Sequence, residues 1–289
     1  MRILSAAQTR RSLPMADAIA SMREAFGSDT EAPLRQQVGS SLVMPGRSGD
    51  SIAVKVVSTV PGNPVGLVAV FDREGAPVGI VDGPTITAIR TAAAAGLATH
   101  LLAPHDASSF AMIGAGAMAR DQILAIRQVR EIDRIVVWSR EPSKAQALAS
   151  EFGGHAAATA AEAVRGVDIV TTATPSETPL FAEADLSEHA HINAIGAYRP
   201  DMIEIPSEFV REAFVVVDDA DAAAVEAGDL IQAGRAPDLN MADLLAMPSV
   251  PPHDQSLYKS VGVATMDVAA AAAALHNAER LGIGTTVDS

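Results

Sequence analysis

The chain has 289 residues, a formal net charge of −14 and no cysteine. Without cysteine there is no disulfide framework, thiolate nucleophile or cysteine-based metal site. The negative charge argues against general binding to nucleic acid or an anionic membrane, but a locally basic pocket for a small anion stays open. Apolar residues make up 48% of the chain. No stretch reaches the roughly 18 uninterrupted apolar residues of a membrane span. The N-terminus lacks the basic segment and apolar core of a secretory signal, so a cytoplasmic location is expected.

Residues 12–26 predict an amphipathic helix, with Ile19, Met22 and Phe26 on one face. Strand signals follow at Ser40–Met44, Ile52–Ser58, Gly66–Asp72 and Ala76–Val81. Turns are expected at Pro45-Gly46, Pro61-Gly62-Asn63-Pro64 and Asp82-Gly83-Pro84. Their close spacing predicts an antiparallel or mixed sheet. Residues 85–103 read as one helix, ended by Pro104.

Beyond Leu102–Ala107 strands and helices alternate: strand 110–113, helix 117–129, strand 134–138, helix 142–152, a weak strand at 155–157 and helix 159–165. Strands at 167–172, 191–194 and 214–218 follow, and an alanine-rich helix spans 263–281. Such alternation predicts a doubly wound parallel sheet. The expected division is 1–103, 104–262 and 263–289.

The most informative segment is Phe110-Ala111-Met112-Ile113-Gly114-Ala115-Gly116-Ala117-Met118-Ala119, whose motif is weak alone and gains weight from its flanks. An apolar strand meets Gly-x-Gly-x-x-Ala and then a helix, as a dinucleotide-binding turn requires. Gly114 permits the sharp turn, Gly116 lets backbone approach a pyrophosphate, and Ala119 allows close helix packing. The helix start offers free N–H groups to phosphate. Gly114, Ala115, Gly116, Ala117 and Met118 are therefore cofactor-binding candidates. The next strand ends in Ser139-Arg140, with Lys144 close behind. A basic residue there accommodates the 2′-phosphate that distinguishes NADP from NAD, so NADP(H) is expected over NAD(H). The plain alternative makes Arg140 a solvated charge. Thr172 and Ala173, closing the strand at 167–172, join the cofactor candidates. Seven histidines are scattered, and the His189-x-His191 pair is too weak to imply a metal.

Several segments together resemble the ornithine cyclodeaminase/mu-crystallin family. They are Val54-Lys55-Val56-Val57-Ser58, Leu67–Phe71, Asp82-Gly83, Thr87-Ala88-Ile89-Arg90-Thr91-Ala92-Ala93, the Gly-Ala-Gly turn, His191-Ile192-Asn193-Ala194-Ile195-Gly196-Ala197 and Lys259-Ser260-Val261-Gly262. The resemblance implies a Rossmann-type domain inserted into a mixed α/β substrate and dimerisation domain, and a homodimer. It also implies that Arg35, Lys55 and Arg90 hold a small carboxylate substrate, Lys55 and Arg90 as the catalytic pair, and that Ser260 and Val261 border the nicotinamide. The residue types agree: a lysine in an apolar strand and an arginine among alanines are costly to bury without an anion. The alternative is an internal ion pair to Asp72, Asp82 or Glu74.

Two departures bear on activity. Cyclodeaminases carry an aspartate just after the Asn-Ala-Val/Ile-Gly segment, where this chain has Tyr198. A phenol is a poor general base at neutral pH, so cyclodeamination is not expected. Asp201 is a candidate for part of that role but lies three residues along; the plainer reading makes Asp201 and Glu204 caps of the following helical segment. Ala69 replaces a frequent hydroxyl residue, implying a smaller or less polar substrate end. The expectation is NADPH-dependent reduction of 1-pyrroline-2-carboxylate or 1-piperideine-2-carboxylate to proline or pipecolate. The alternatives are a dehydrogenase of an open-chain amino or N-alkylamino acid, and a non-catalytic NADP-binding protein.

Overall fold

The computed structural model describes residues 1–27, 29–60 and 65–288. Along the chain, β1 (Arg2–Ile3) leads into α1 (Ala6–Ser12) and α2 (Met15–Ala25). One helix was expected over 12–26. Two form because Pro14 cannot continue a helix, and Ser5 and Gln8 close a capping box on the first. Strands β2 (Thr30–Glu31), β3 (Gln36–Val38), β4 (Ser41–Ser48), β5 (Ser51–Ser58), β6 (Gly66–Phe71) and β7 (Pro77–Asp82) come next, then α3 (Gly83–Leu102). The expected turn at Pro61-Gly62-Asn63-Pro64 lies outside the described residues.

Two other expected turns are not turns. Pro45 and Gly46 lie inside β4, paired along β5. On the other edge β3 ends its pairing at Val43 and β2 starts at Arg47, so no neighbour requires the missing Pro45 N–H. A Cβ on Gly46 would come 2.8 Å from that of Ala264, so glycine permits the approach. At Asp82-Gly83-Pro84, β7 runs straight into α3. There Asp82 Oδ1 accepts from the Thr85 N–H at 2.9 Å, and Pro84 suits the first helical turn.

The remaining elements are β8 (Ser109–Ile113), α4 (Ala119–Val129), β9 (Arg134–Trp138), α5 (Pro142–Glu151), β10 (His155–Ala156), α6 (Ala160–Val164), β11 (Ile169–Thr172), β12 (His191–Ala194), α7 (Ser207–Glu212), β13 (Phe214–Val217), α8 (Ala220–Glu226), α9 (Gly228–Ala233), β14 (Leu239–Asn240), α10 (Met241–Ala246), β15 (Ser256–Lys259), α11 (Ala264–Leu281) and β16 (Thr285–Thr286).

The chain divides into two compact units, Met1–Ala94 with Val263–Ser289, and Ala95–Gly262. The division falls inside α3 rather than at its end. The first unit holds a mixed sheet ordered β16-β1-β7-β6-β5-β4-β2, with β3 also on β4. Side chains alternate between its faces. One face, with Met44, Ala53, Lys55, Val68, Val70 and Val81 buried, packs under α11. The other carries Val54, Val56, Leu67, Ala69 and Ile80, apolar and only partly covered.

The second unit is a parallel sheet ordered β10-β9-β8-β11-β12-β15-β13-β14. Its first five strands follow the 3-2-1-4-5 order of a Rossmann sheet. Between β8, β9 and their helices a core forms from Phe110, Met112, Ile123, Ile126, Ile135 and Val137. No helix among the described residues is long and apolar enough to cross a membrane.

Candidate active site

In the second unit the turn after β8 has the geometry its glycines imply. Gly114 sits at φ +112°, and a Cβ there would meet the Ala173 carbonyl at 2.7 Å. Conformation and space both demand glycine. Gly116 differs, since a Cβ there would meet nothing within 4 Å. Protein packing leaves that glycine unexplained, whereas a ligand pressed against the backbone accounts for it. Met118 gives α4 no side-chain cap, and the Ala119 N–H donates to the Gly116 carbonyl at 3.1 Å, so the N–H groups of Arg120 and Asp121 are the ones at the helix start that could face an anion.

A cavity of about 180 Å³ opens here, lined by Gly114, Ala115, Gly116, Trp138, Ser139, Arg140, Glu141, Lys144 and Ala173. It brings together the turn and the end of β9. Ser139 Oγ accepts from the Glu141 N–H, and Lys144 Nζ pairs with Glu141 at 2.7 Å. Arg140 has no side-chain partner among the described residues, so its guanidinium is available. The residues fit a dinucleotide with a phosphate near Arg140. Ala117 and Met118 lead into α4 without lining the cavity. Thr172 is buried one residue before its wall, its hydroxyl without a partner among the described residues. Thr174, Pro175, Ser176 and Leu180 complete the lining. Sequence reasoning missed them because they follow β11 in a stretch without pattern.

Ser260 and Val261 lie elsewhere, after β15. The Ser260 hydroxyl donates to Asp218 at 2.8 Å, and the Val261 and Gly262 N–H groups donate to the same carboxylate. Nearby, Lys259 Nζ lies 2.8 Å from Asp229 Oδ2, with both side chains fully buried. Asp229 Oδ1 accepts from the Glu204 and Ile205 N–H groups.

Glu204 is not a helix cap. Its buried carboxylate accepts from the N–H groups of Thr174, Gly196 and Ala197 and from the Thr174 hydroxyl, at 2.7–3.1 Å. It ties the ends of β11 and β12 together beside the cavity wall. Burial pushes its carboxyl up to about 6, with Lys259 opposing. Asp201 is not a cap either: its carboxylate takes two hydrogen bonds from Arg199 at 3.0 Å each. Tyr198 is 48% exposed. His191 is buried between Ser256 Oγ at 2.9 Å and Asn193 Oδ1 at 3.2 Å. Burial pushes it down to about 3, so the ring is neutral and structural.

In the first unit Lys55 and Arg90 do come together, on an acid the sequence analysis did not consider. Lys55 Nζ lies 2.6 Å from Asp267 Oδ2, and Arg90 Nε donates to Asp267 Oδ1 at 3.1 Å. All three side chains are at most 5% exposed. The expected acids Asp72, Asp82 and Glu74 are not the partners. An acid in the first turn of an alanine-rich helix was the available signal. Burial pushes the Lys55 ammonium down to about 8; Asp267 resists this, while Arg90 and Arg35 add to it. Burial works against Asp267 too, yet Arg90 and Lys55 hold it below the usual carboxylate range. Arg35 is partly buried and close enough for its charge to act on Lys55.

Two buried cations share one carboxylate, so the group carries excess positive charge. Arg90 Nη1 touches Met266 Sδ at 3.5 Å, and Nη2 has no partner among the described residues. Lys55 Nζ also donates to Thr87 Oγ1 at 3.5 Å. The arrangement can take a second carboxylate. Ala69 cannot shape that site as expected: it pairs with Val54, while Lys55 pairs with Val68, which puts Ala69 on the opposite sheet face. The hydroxyl beside Lys55 belongs to Thr87.

The family model described as "Ornithine cyclodeaminase/mu-crystallin family" matches residues 25–280. A Delta(1)-pyrroline-2-carboxylate reductase of Bacillus cereus is 31% identical over the full length of both chains. The ketimine reductase mu-crystallin of Mus musculus is 30% identical over 84% of this chain and 82% of its own. Among solved structures, Thermococcus litoralis Delta(1)-pyrroline-2-carboxylate reductase, in complex with NADH and L-proline, is 31% identical. It superposes with a TM-score of 0.92 over 99% of this chain and 100% of that one.

Proposed function

Because the chain belongs to the ornithine cyclodeaminase/mu-crystallin family, we propose that it reduces a cyclic imino acid, 1-pyrroline-2-carboxylate or 1-piperideine-2-carboxylate, with NADPH. The observation that carries this is the buried pair Lys55 and Arg90, whose charge exceeds that of their one shared carboxylate. An α-imino acid brings the missing anion beside the carbon to be reduced.

In this reading Arg90 offers its Nη edge to the substrate carboxylate, Lys55 offers an ammonium N–H, and Arg35 adds charge. The anchored carboxylate fixes the position of the imine carbon, and positioning supplies most of the rate. When bound in the second unit, the nicotinamide supplies the hydride. The ring nitrogen is already protonated in the iminium form of the substrate, so the reaction needs no strong base and tolerates Tyr198. Imino acid, NADPH and a proton give the cyclic amino acid and NADP⁺.

The decisive test follows NADPH absorbance with each imino acid and purified protein. Oxidation with either supports the reading, and the ratio of rates gives ring preference. No oxidation, with NADPH still bound, would refute it and favour an open-chain substrate or a binding role.

Arg140, unpaired on the cavity wall, supports NADP(H) over NAD(H). NADPH is expected to bind at least ten-fold more tightly than NADH, and Arg140→Ala to remove most of that difference. Quenching of Trp138, the one tryptophan of the chain and part of the same cavity wall, reads both affinities. Tighter NADH binding by the unaltered protein would overturn the preference.

The protein is proposed to be a homodimer joined through the partly covered sheet face carrying Val54, Val56, Leu67, Ala69 and Ile80. A contiguous apolar face of this kind marks an interface. Sedimentation of a monomer at micromolar concentration would remove this element.

A further inference from the structure

Resting on the reading of Lys55 and Arg90 as the carboxylate-binding pair, we propose that Asp267 is a positioning residue: it fixes both cations for the substrate carboxylate and keeps Lys55 in its ammonium form at working pH. Asp267 does not touch the substrate in this scheme; it acts through the two groups that do.

The geometry divides the acid evenly. Oδ2 faces Lys55 Nζ at 2.6 Å and Oδ1 takes the Arg90 Nε hydrogen bond at 3.1 Å. One carboxylate therefore sets the spacing between an ammonium on β5 and a guanidinium on α3. It sits in the first turn of α11, beside Met266, whose sulfur contacts Arg90 Nη1 at 3.5 Å. Arg90 is thereby held on its Nε side and through Nη1, and Nη2 is left over. Asp267 spends both oxygens without consuming the donors a substrate needs.

The same carboxylate governs protonation. The groups acting on Lys55 are Asp267 from α11, Arg90 and the Thr87 hydroxyl from α3, and Arg35 from the segment before β3. Only Asp267 among the charged ones favours the ammonium. Burial and the two arginines push Lys55 down to about 8 against that one carboxylate. Losing a close opposite charge lowers a buried lysine by roughly 1 to 3 pH units. Without Asp267, Lys55 is neutral at pH 8.

Two opposing effects follow in Asp267→Asn, and they give the proposal its sharp outcome. By Coulomb attraction alone, deleting an anion beside two cations strengthens binding of another anion. If Lys55 then sheds its proton and loses its tether, the gain disappears and binding weakens. The second effect dominates, because a neutral amine cannot pair with a carboxylate and a released side chain must be reordered on binding.

The chain contains three lysines, Lys55, Lys144 and Lys259. Full-length protein labelled with ¹³C at lysine Cε gives three resonances, assigned with Lys144→Arg and by elimination of Lys55 in Lys55→Met. Their pH titration reads Lys55 with no substrate or cofactor present. Lys55 is expected to titrate near pH 8 in the natural chain, about one pH unit or more lower in Asp267→Asn, and back near 8 in Asp267→Glu. In parallel, pyrrole-2-carboxylate, a planar carboxylate without a titrating imine, is titrated calorimetrically at pH 8. Its affinity is expected to fall at least ten-fold in Asp267→Asn and to recover in part in Asp267→Glu, with circular dichroism confirming folded variants.

An unchanged Lys55 titration, or unchanged or tighter binding in Asp267→Asn, overturns the role of Asp267. Failure of the natural chain to bind any imino or pyrrole carboxylate, with the lysine titrations as expected, refutes instead the carboxylate site on which the proposal rests.

Discussion

Lys259→Met is expected to destabilise the second unit by about 3 to 5 kcal/mol, the usual consequence of leaving a buried charge without its partner. Lys259 and Asp229 are both fully buried and 2.8 Å apart. Asp229 also supports the backbone at Glu204 and Ile205, and Glu204 in turn holds three N–H groups and the Thr174 hydroxyl. The cluster thus has two carboxylates and one ammonium. Methionine fills similar volume, but it leaves Asp229 and Glu204 in a dry interior without the ammonium that opposes their charge. Gly196 shows how little the cluster can adjust, since a Cβ there would lie 2.2 Å from the Thr174 carbonyl oxygen. Urea unfolding followed by Trp138 fluorescence measures the loss. Adding Asp229→Asn keeps the acceptor oxygen and removes the second charge, so the double variant should recover part of the stability. A loss under about 1 kcal/mol in the single variant would show that the anions are satisfied without Lys259.

The parallel sheet and its glycine turn were legible because their signals are local. Phe110–Ala119 carries strand, turn and helix start in one continuous stretch, and Arg140 follows the next strand directly. The partners that matter most were not legible. Asp267 is separated from Arg90 by 177 positions, and its one local signal, an acid in the first turn of an alanine-rich helix, does not name its partners. Glu204 reads as a helix cap for the same reason, since Thr174, which donates to its carboxylate, lies 30 positions away. β15 went unrecognised because Ser-Leu-Tyr-Lys lacks an apolar run, yet all four residues are buried between β12 and β13. Its lysine belongs to the Lys259-Ser260-Val261-Gly262 segment, and nothing local shows that it pairs with Asp229 at 2.8 Å. Pro45 misled in the opposite direction, since only the gap between β2 and β3 makes a proline acceptable inside β4. Local pattern specifies elements; tertiary pairing specifies charge, and the candidate site is made of charge.

Arg90→Met is expected to lower kcat/KM for a cyclic imino acid by about 10³-fold and to leave stability almost unchanged. The contrast with Lys259 follows from counting charges. Around Asp267 there are two cations and one anion, so deleting a cation leaves Lys55 and Asp267 as a balanced buried pair instead of an orphan. Methionine gives up the Arg90 Nε–Asp267 Oδ1 hydrogen bond, while Asp267 keeps Lys55 as its counter-ion at 2.6 Å. What is expected to disappear is the hold on the substrate carboxylate proposed for Arg90. A charge-assisted hydrogen bond contributes about 1.5 to 3 kcal/mol, and misplacing the imine carbon costs roughly a further factor of ten to a hundred in rate. Arg90→Lys keeps the charge without the planar fork, so it should fall between the natural chain and Arg90→Met. NADPH affinity, read from Trp138 quenching, should be the same in all three. Steady-state kinetics with equilibrium unfolding decide the matter. If Arg90→Met unfolds as readily as Lys259→Met while kcat/KM per folded molecule is unchanged, Arg90 is a structural ion-pair partner. If activity falls and stability holds, the second buried cation is there for the substrate, a local imbalance of the kind folds keep at functional sites.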